Sequence, residues 1–304
     1  MRVVSLLPGA TEIVCALGAG DQLVGVSHEC DHPAWVRGLP SVTRSNVDPR
    51  ADSASIDDGV RSLLAAGLAL YEIDVAMLAA LRPDVIVTQH QCDVCAVSFE
   101  EVEAAARTTI GADVRIVSLA PRVLADVWVD IDRVAAALGR ESEARELRGR
   151  LAARLAALSA RTATLDRPTV ACIEWIDPLM LAANWTPELV TMAGGHYPFA
   201  TVGAASVASA WAALVAARPD VVVLMPCGFP IAQTRRELDR LRAHPEWQAL
   251  DAVRAGRASV VDGNAFFNRP GPRLVESAEI LAAVLHPETC GDLMIAGGAE
   301  PLLP

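Results

Sequence analysis

Short apolar runs alternate with segments of helical period along most of the chain, and this alternation predicts its elements. Arg2 to Leu7 reads as a buried strand and Pro8-Gly-Ala-Thr11 as the turn into a helix. Thr11 is placed to cap the run Glu12 to Leu17, which Gly18 and Gly20 end. Leu23 to Val26 predicts a second strand, and Gly38 to Ala54 a loop interrupted by Pro40, Asn46 and Pro49. Ile56 to Leu81 predicts a helix whose second half carries Ile73, Met77, Leu78 and Leu81 as a core-facing stripe.

One stretch organises the rest. Arg82-Pro-Asp-Val-Ile-Val-Thr-Gln-His-Gln-Cys-Asp-Val-Cys95 combines a helix end, a strand from Val85 to Thr88, and a loop carrying His90, Cys92 and Cys95. The same signature returns as Arg218-Pro-Asp-Val-Val-Val-Leu-Met-Pro-Cys227, again with a cysteine just past the strand. Between them lie a helix from Phe99 to Arg107, a strand from Val114 to Val117, and a long helical zone opened by Pro121. There Leu124, Val127, Trp128, Ile131, Val134 and Leu138 recur at helical spacing; Gly139 interrupts and Glu141 to Leu158 resumes. About 20 residues of helix span roughly 30 Å, enough to join two lobes.

The second half restarts the alternation. Strands are expected at Val170 to Ile176, Val221 to Leu224 and Ser259 to Val261. Helices are expected at Pro187 to Met192, Ser206 to Ala217, Arg235 to Arg242 and Leu274 to Leu285. Such a pattern means an α/β fold of two lobes, each a mainly parallel sheet with flanking helices, and ligands beyond the carboxyl ends of the strands. The expected division is an amino-terminal lobe over 1–120, a linking helical segment over 121–165, a carboxyl-terminal lobe over 166–288 and an irregular tail over 289–304.

Composition narrows the function. With 304 residues, 52% hydrophobic and 21% charged, the chain can bury a large core. Its net charge of −11 argues against nucleic acid as a partner, because phosphate binding needs clustered Lys and Arg. No run reaches the roughly 18 apolar residues of a membrane span. The amino terminus enters a strand at once and turns polar at Thr11 and Glu12, so a cytoplasmic location is expected, or a periplasmic one had a leader been removed.

Sulfur supplies the candidate chemistry. Seven cysteines lack the spacing of a disulfide scaffold, and Cys15 and Cys172 lie in apolar stretches as small buried hydrophobes. Cys30, in the ligand-rich stretch Ser27-His-Glu-Cys-Asp-His-Pro33, joins Cys92, Cys95 and Cys227 as four loop thiolates able to hold Zn²⁺ or an iron–sulfur cluster. Inert thiols, or a Cys92–Cys95 redox pair, are the competing readings. His32 and His90 are weaker ligand candidates, and Glu29 and Asp31 are placed to orient histidines. No P-loop, nucleophile elbow or zincin helix is present, so a non-enzymatic protein is expected, with a thiol-dependent enzyme a distant third reading.

Four segments together resemble substrate-binding proteins of the cobalamin, haem and ferric-siderophore type. They are Arg2-Val-Val-Ser-Leu-Leu-Pro-Gly-Ala-Thr-Glu12, Ala16-Leu-Gly-Ala-Gly-Asp-Gln-Leu-Val-Gly-Val26, the Leu81-Arg-Pro-Asp-Val-Ile-Val87 strand with its echo at Arg218, and Phe267-Asn-Arg-Pro-Gly-Pro-Arg-Leu-Val275. The resemblance runs over about 2–288 and implies two lobes joined by a long rigid helix, with a corrinoid (cobalamin-like) or related tetrapyrrole between them. It also implies an ABC permease partner, which the apparent lack of an export signal makes doubtful; the cysteine loops depart from an exported relative.

A flat macrocycle needs apolar and aromatic walls with a few polar groups. The aromatic residues concentrate after the midpoint, and Trp175, Trp185, Tyr197 and Phe229 are the candidates, Trp175 and Trp185 first because each follows a strand end. Pro8 and His28 are the ligand candidates of the first lobe. Arg269 and Arg273, flanking Pro270-Gly-Pro272, suit carboxylate or phosphate groups; capping, or an ion pair with Glu174 or Asp177, is the structural alternative.

Overall fold

A computed structural model describes residues 1–89, 99–111 and 113–302, so His90, Cys92 and Cys95 lie outside the described residues. The chain divides into two compact units. Unit 1 comprises Met1–Pro49, Asp58–Arg150 and Pro270–Pro272; unit 2 comprises Arg50–Asp57, Leu151–Arg269 and Arg273–Pro304.

The first elements are β1 (Val3–Ser5), α1 (Pro8–Ala16), β2 (Leu23–Val26), β3 (Thr43–Ser45), α2 (Ser53–Ala65), β4 (Tyr71–Ile73), α3 (Val75–Leu81), β5 (Val85–Gln89), α4 (Phe99–Thr109), β6 (Arg115–Leu119), α5 (Leu124–Leu138) and α6 (Glu141–Thr162). Unit 1 holds a parallel sheet in the order β2-β1-β5-β6, with Val3 beside Val85 and Val85 beside Arg115. Val3, Val4, Ile86 and Val87 are fully buried, the mark of strands covered on both faces. Val4, Leu6, Val42, Leu78, Ile86 and Val102 form one core cluster in this unit. Full burial of each such side chain contributes about 1.5–3 kcal/mol.

Three expectations for unit 1 are corrected. Helix α1 starts at Pro8, not after Thr11, because proline suits the first helical turn, where its missing N–H is not needed. Thr11 is buried inside that helix and its hydroxyl meets Ser5 and Cys30 instead. The expected helix from Ile56 to Leu81 is two helices: Gly67, at φ +67°, ends the first, and the Asp74 carboxylate accepts the Met77 N–H at 2.8 Å to start the second. Between them β4 pairs antiparallel with β3, which lies in the stretch expected to be loop.

The remaining elements are β7 (Val170–Trp175), β8 (Met180–Leu181), α7 (Thr186–Met192), β9 (Val207–Ala208), α8 (Trp211–Ala217), β10 (Val221–Leu224), α9 (Ile231–Arg236), α10 (Leu238–Ala243), α11 (Pro245–Ala249), α12 (Asp251–Arg254), β11 (Ala258–Val261), α13 (Leu274–Leu285), α14 (Pro287–Cys290) and β12 (Ala299–Leu302). The sheet of unit 2 runs β12-β11-β10-β7-β8-β9. Its centre, β11-β10-β7, is parallel, while β12, β8 and β9 pair antiparallel at the two flanks. The tail is therefore not irregular, since Ala299–Leu302 closes one edge of this sheet. The helix expected from Ser206 starts only at Trp211, because Val207 and Ala208 pair with β8.

The Arg-Pro-Asp signature has one structural meaning in both units. Arg82 and Arg218 end helices α3 and α8 in the left-handed conformation, at φ 43° and 48°. The following aspartate then clamps the residue before the first strand: Asp84 holds Arg2, and Asp220 holds Thr169, each through one carboxylate and one backbone hydrogen bond. Helix α6 is divided between the units after Arg150, so the linking segment is not a separate body. Its later half buries Leu151, Leu155 and Leu158, and Arg154 forms a fork with Glu276 and Glu279 of α13 at 2.6–3.0 Å.

Candidate functional site

In open parallel sheets the carboxyl ends of the strands are where loops converge and ligands bind. Each unit offers such an edge.

In unit 1, β1 runs into Leu7 and half-buried Pro8 at the start of α1, and β2 into Ser27 and His28. The Ser27 N–H donates to the Ser5 carbonyl at 2.9 Å, tying the two strand ends together. Thr43 of β3 holds His28 twice: its hydroxyl oxygen accepts the His28 main-chain N–H at 3.1 Å and lies 2.8 Å from Nδ1. Tyr71, at the far end of the β3–β4 pair, sits against the imidazole with ring centroids 5.6 Å apart. The His28 side chain keeps 24% of its surface. Burial lowers the His28 pKa, because the charged ring loses water, so the neutral imidazole persists to lower pH than usual.

Cys30 is buried, and its sulfur lies 3.0 Å from the Thr11 hydroxyl, which itself donates to Ser5 at 2.8 Å. Among the described residues no group of three or more His, Cys, Asp or Glu is close enough to hold a metal ion.

In unit 2, Trp175 ends β7 partly exposed, and Phe229 meets it edge-on at 5.2 Å. The preceding Glu174 accepts from the Ser206 hydroxyl, and Ser206 accepts the Ala183 N–H at 3.1 Å. Burial raises the Glu174 pKa, partly offset by the hydrogen bonds from Ser206 and Ala183. Burial likewise raises the Cys172 thiol and the Tyr197 phenol, so both stay protonated. Cys227 follows β10 half-buried, with its N–H on the Glu174 carbonyl at 3.0 Å.

The structure separates the expected aromatic residues by role. Trp185 is buried and donates its indole N–H to the Phe267 carbonyl at 2.7 Å. Tyr197 is buried, donates to the Ala182 carbonyl at 2.5 Å and packs on Phe199. Phe229 is buried beneath Trp175. Of the four, Trp175 keeps a surface for a ligand.

Arg269 is buried and donates to Asn264 Oδ1 at 2.8 Å, while Arg273 lies over the Phe266 ring at 5.2 Å. Asp177, offered as an alternative partner for these arginines, pairs with Arg240 at 2.6 Å. Asn264 is set by the turn after β11, where Asp262 accepts the Asn264 and Ala265 N–H groups at 3.0 and 2.7 Å. Gly263 is required there, since a side chain would meet the Pro226 carbonyl at 2.1 Å.

Thr43, Tyr71, Ser206 and Asn264 were not legible as site residues. Only the Asp262-Gly-Asn264 turn carried a signal; Thr43 lay in a stretch without period. A groove of about 620 Å³ in unit 2 is lined by Val221, Arg257, His286 and Glu300. It sits at the amino-terminal ends of β10 and β11, opposite the edge described above, and is not the candidate site.

Comparison with known proteins bears on the fold and the family. A family model described as periplasmic binding protein matches residues 3–265. An uncharacterized ABC transporter substrate-binding lipoprotein, YvrC, of Bacillus subtilis is 22% identical over 95% of this chain and 81% of its own length. A periplasmic haem-binding protein from Pseudomonas aeruginosa superposes with a TM-score of 0.70 at 22% identity, covering 99% of this chain and 94% of that one. The periplasmic vitamin B12 binding protein BtuF of Vibrio cholerae gives 0.65 at 20% identity, covering 93% and 96%. At these identities the structural likeness concerns the two-lobe α/β fold.

Proposed function

This chain belongs to the periplasmic binding protein family, and on that premise we propose that it is the substrate-binding component of an ABC transporter, carrying a corrinoid or related tetrapyrrole. The observation that carries the reading is the match over most of the chain, joined to a site edge of the appropriate chemistry in each unit. Unit 1 supplies the neutral His28 imidazole beside Tyr71, and unit 2 supplies Trp175 backed by Phe229. An aromatic wall and a few fixed polar groups suit a large flat ligand. The role is one of binding, without catalysis.

A permease partner and an extracytoplasmic setting accompany this reading, in line with a lipoprotein relative and periplasmic structural neighbours. It favours the periplasmic alternative over the cytoplasmic location expected from the amino-terminal residues. No helix among the described residues is long and apolar enough to cross a membrane. A zinc or iron–sulfur site on Cys30, Cys92, Cys95 and Cys227 finds no support among the described residues, where Cys30 is engaged with Thr11.

The test is the absorbance spectrum and metal content of the chain purified from its own host without oxygen. A corrin or porphyrin band is the expected result. Stoichiometric zinc, or iron with sulfide, and no such band would overturn the reading.

A further inference from the structure

We infer that Arg50–Asp57 and Pro270–Pro272 are reciprocal clips: each unit lends the other a short piece of chain, so that the two unfold as one cooperative body. Helix α6 passes from unit 1 to unit 2 after Arg150, and a single helical passage is free to bend. The chain also leaves each unit and returns to it, once over Arg50–Asp57 and once over Pro270–Pro272. Both excursions are pinned at the root in the unit they leave and at the tip in the unit they enter.

The first clip lies in the connection between β3 and β4. Its root is closed in unit 1, where Asn46 donates its N–H to the Leu70 carbonyl and its side-chain amide to the Ala69 carbonyl, each at 2.9 Å. Its tip is taken up by unit 2. Ser53 is fully buried, with its N–H and hydroxyl both on Glu237 at 2.7 Å. Gln233 donates to the Ala51 carbonyl at 3.1 Å, and Arg236 to the Arg50 carbonyl at 3.0 Å. Asp52 pairs with Arg240 at 3.9 Å, but both are half exposed and such a pair holds little. The buried two-point grip of Glu237 on Ser53 therefore decides the docking. Helix α2 is divided after Asp57, so a stiff element and not a slack loop carries the chain back to unit 1.

The second clip runs the other way. Pro270-Gly-Pro272 is rooted in unit 2 on both sides: Arg269 is buried and donates to Asn264, and the Arg273 carbonyl accepts the Ser277 N–H at 3.0 Å in the first turn of α13. Its tip lies on α1 of unit 1. A Cβ on Gly9 would meet the Pro270 carbonyl oxygen at 2.5 Å, and one on Gly271 would meet the Gly9 carbonyl oxygen at 3.3 Å. Backbone thus packs on backbone, a closeness that a side chain at Gly9 would forbid. The two prolines fix φ and bring no N–H into a contact that offers it no partner. The edge at His28 and the edge at Trp175 then persist or are lost together.

The experiment is calorimetric unfolding of the full chain, paired with hydrogen exchange, in wild type, Glu237→Ala, Gly9→Ala and the double variant, with Asp84→Ala as a control outside both clips. Wild type is expected to unfold in one transition, with equal calorimetric and van't Hoff enthalpies, and to protect the Ser53 amide roughly 100-fold or more over the unfolded chain. Glu237→Ala should lose at least about 10-fold of that protection while the Asn46 amide keeps its own. The double variant should unfold in two transitions, one per unit, whereas Asp84→Ala shifts a single one. A double variant that loses Ser53 protection yet unfolds in one transition overturns the inference. So does a wild type that unfolds in two, or one that exchanges Ser53 at the unfolded-chain rate. Should the double variant not fold, Glu237→Ala alone decides: its van't Hoff enthalpy should fall below the calorimetric one, and equality of the two overturns the inference.

Discussion

Asp84 grips the backbone of Arg2 at two points: Oδ2 accepts the Arg2 N–H at 2.7 Å, and the Asp84 N–H donates to the Arg2 carbonyl at 2.8 Å. Asp220 repeats the grip on Thr169, with both distances 2.8 Å. Both aspartates are exposed, so water competes and each carboxylate bond stabilises modestly. Asp84→Ala and Asp220→Ala should each lower unfolding free energy by about 1 kcal/mol, and the double variant by their sum, since the pairs lie in separate units. Urea denaturation checks this.

That clamp also explains what the sequence made legible. The Arg-Pro-Asp repeat announced two like units because helix end, turn and strand start are encoded within a few adjacent residues. The β3–β4 pair was hidden because Thr43–Ser45 and Tyr71–Ile73 are far apart in the chain and meet only through tertiary pairing. The cap role assigned to Thr11 failed because a proline three residues earlier already starts the helix. Trp185 and Tyr197 looked like ligand walls, yet their polar atoms are spent on the Phe267 and Ala182 carbonyls. Sequence position after a strand end cannot tell an indole that faces a ligand from one that faces the core.

Glu237 is buried in unit 2, with its two oxygens on the Ser53 N–H and hydroxyl, each at 2.7 Å. These bonds hold the first turn of α2, assisted by Gln233 on the Ala51 carbonyl. Glu237→Ala leaves the buried Ser53 donors unmatched and should cost about 2–3 kcal/mol. Limited proteolysis should then cut near 50–57 sooner than in wild type. Glu237→Gln, which keeps one acceptor, should lose less.

Asp130 on α5 is buried, and its pKa is pushed up to about 6, chiefly by burial and despite Arg133 at 3.0 Å. The folded state therefore holds this proton more tightly than the unfolded chain. The associated stability is fully present below pH 3.8 and is lost as pH rises through about 6. The full rise corresponds to about 3 kcal/mol. Asp130→Asn should accordingly be more stable than wild type at pH 7.5 by roughly 1–3 kcal/mol, with the gap closing below pH 4. Thermal unfolding across that range reads it directly.

Trp175 is the partly exposed aromatic at the site edge of unit 2, with Phe229 behind it. Trp175→Leu should leave the unfolding midpoint nearly unchanged and weaken macrocycle binding about 10-fold, in keeping with a stacking contribution of about 1–1.5 kcal/mol. Trp185→Leu should do the reverse, because the buried Phe267 carbonyl loses its donor. Fluorescence-monitored unfolding and ligand titration of the two variants separate the roles.

The central claim is that this chain carries a tetrapyrrole. Its most direct test is an absorbance titration of the purified full chain with hemin and cyanocobalamin. Saturable binding of one equivalent of either, with Kd near or below about 1 μM and hence about −8 kcal/mol or stronger, is predicted. Absence of any saturable change with both macrocycles, in protein that unfolds cooperatively, would contradict it.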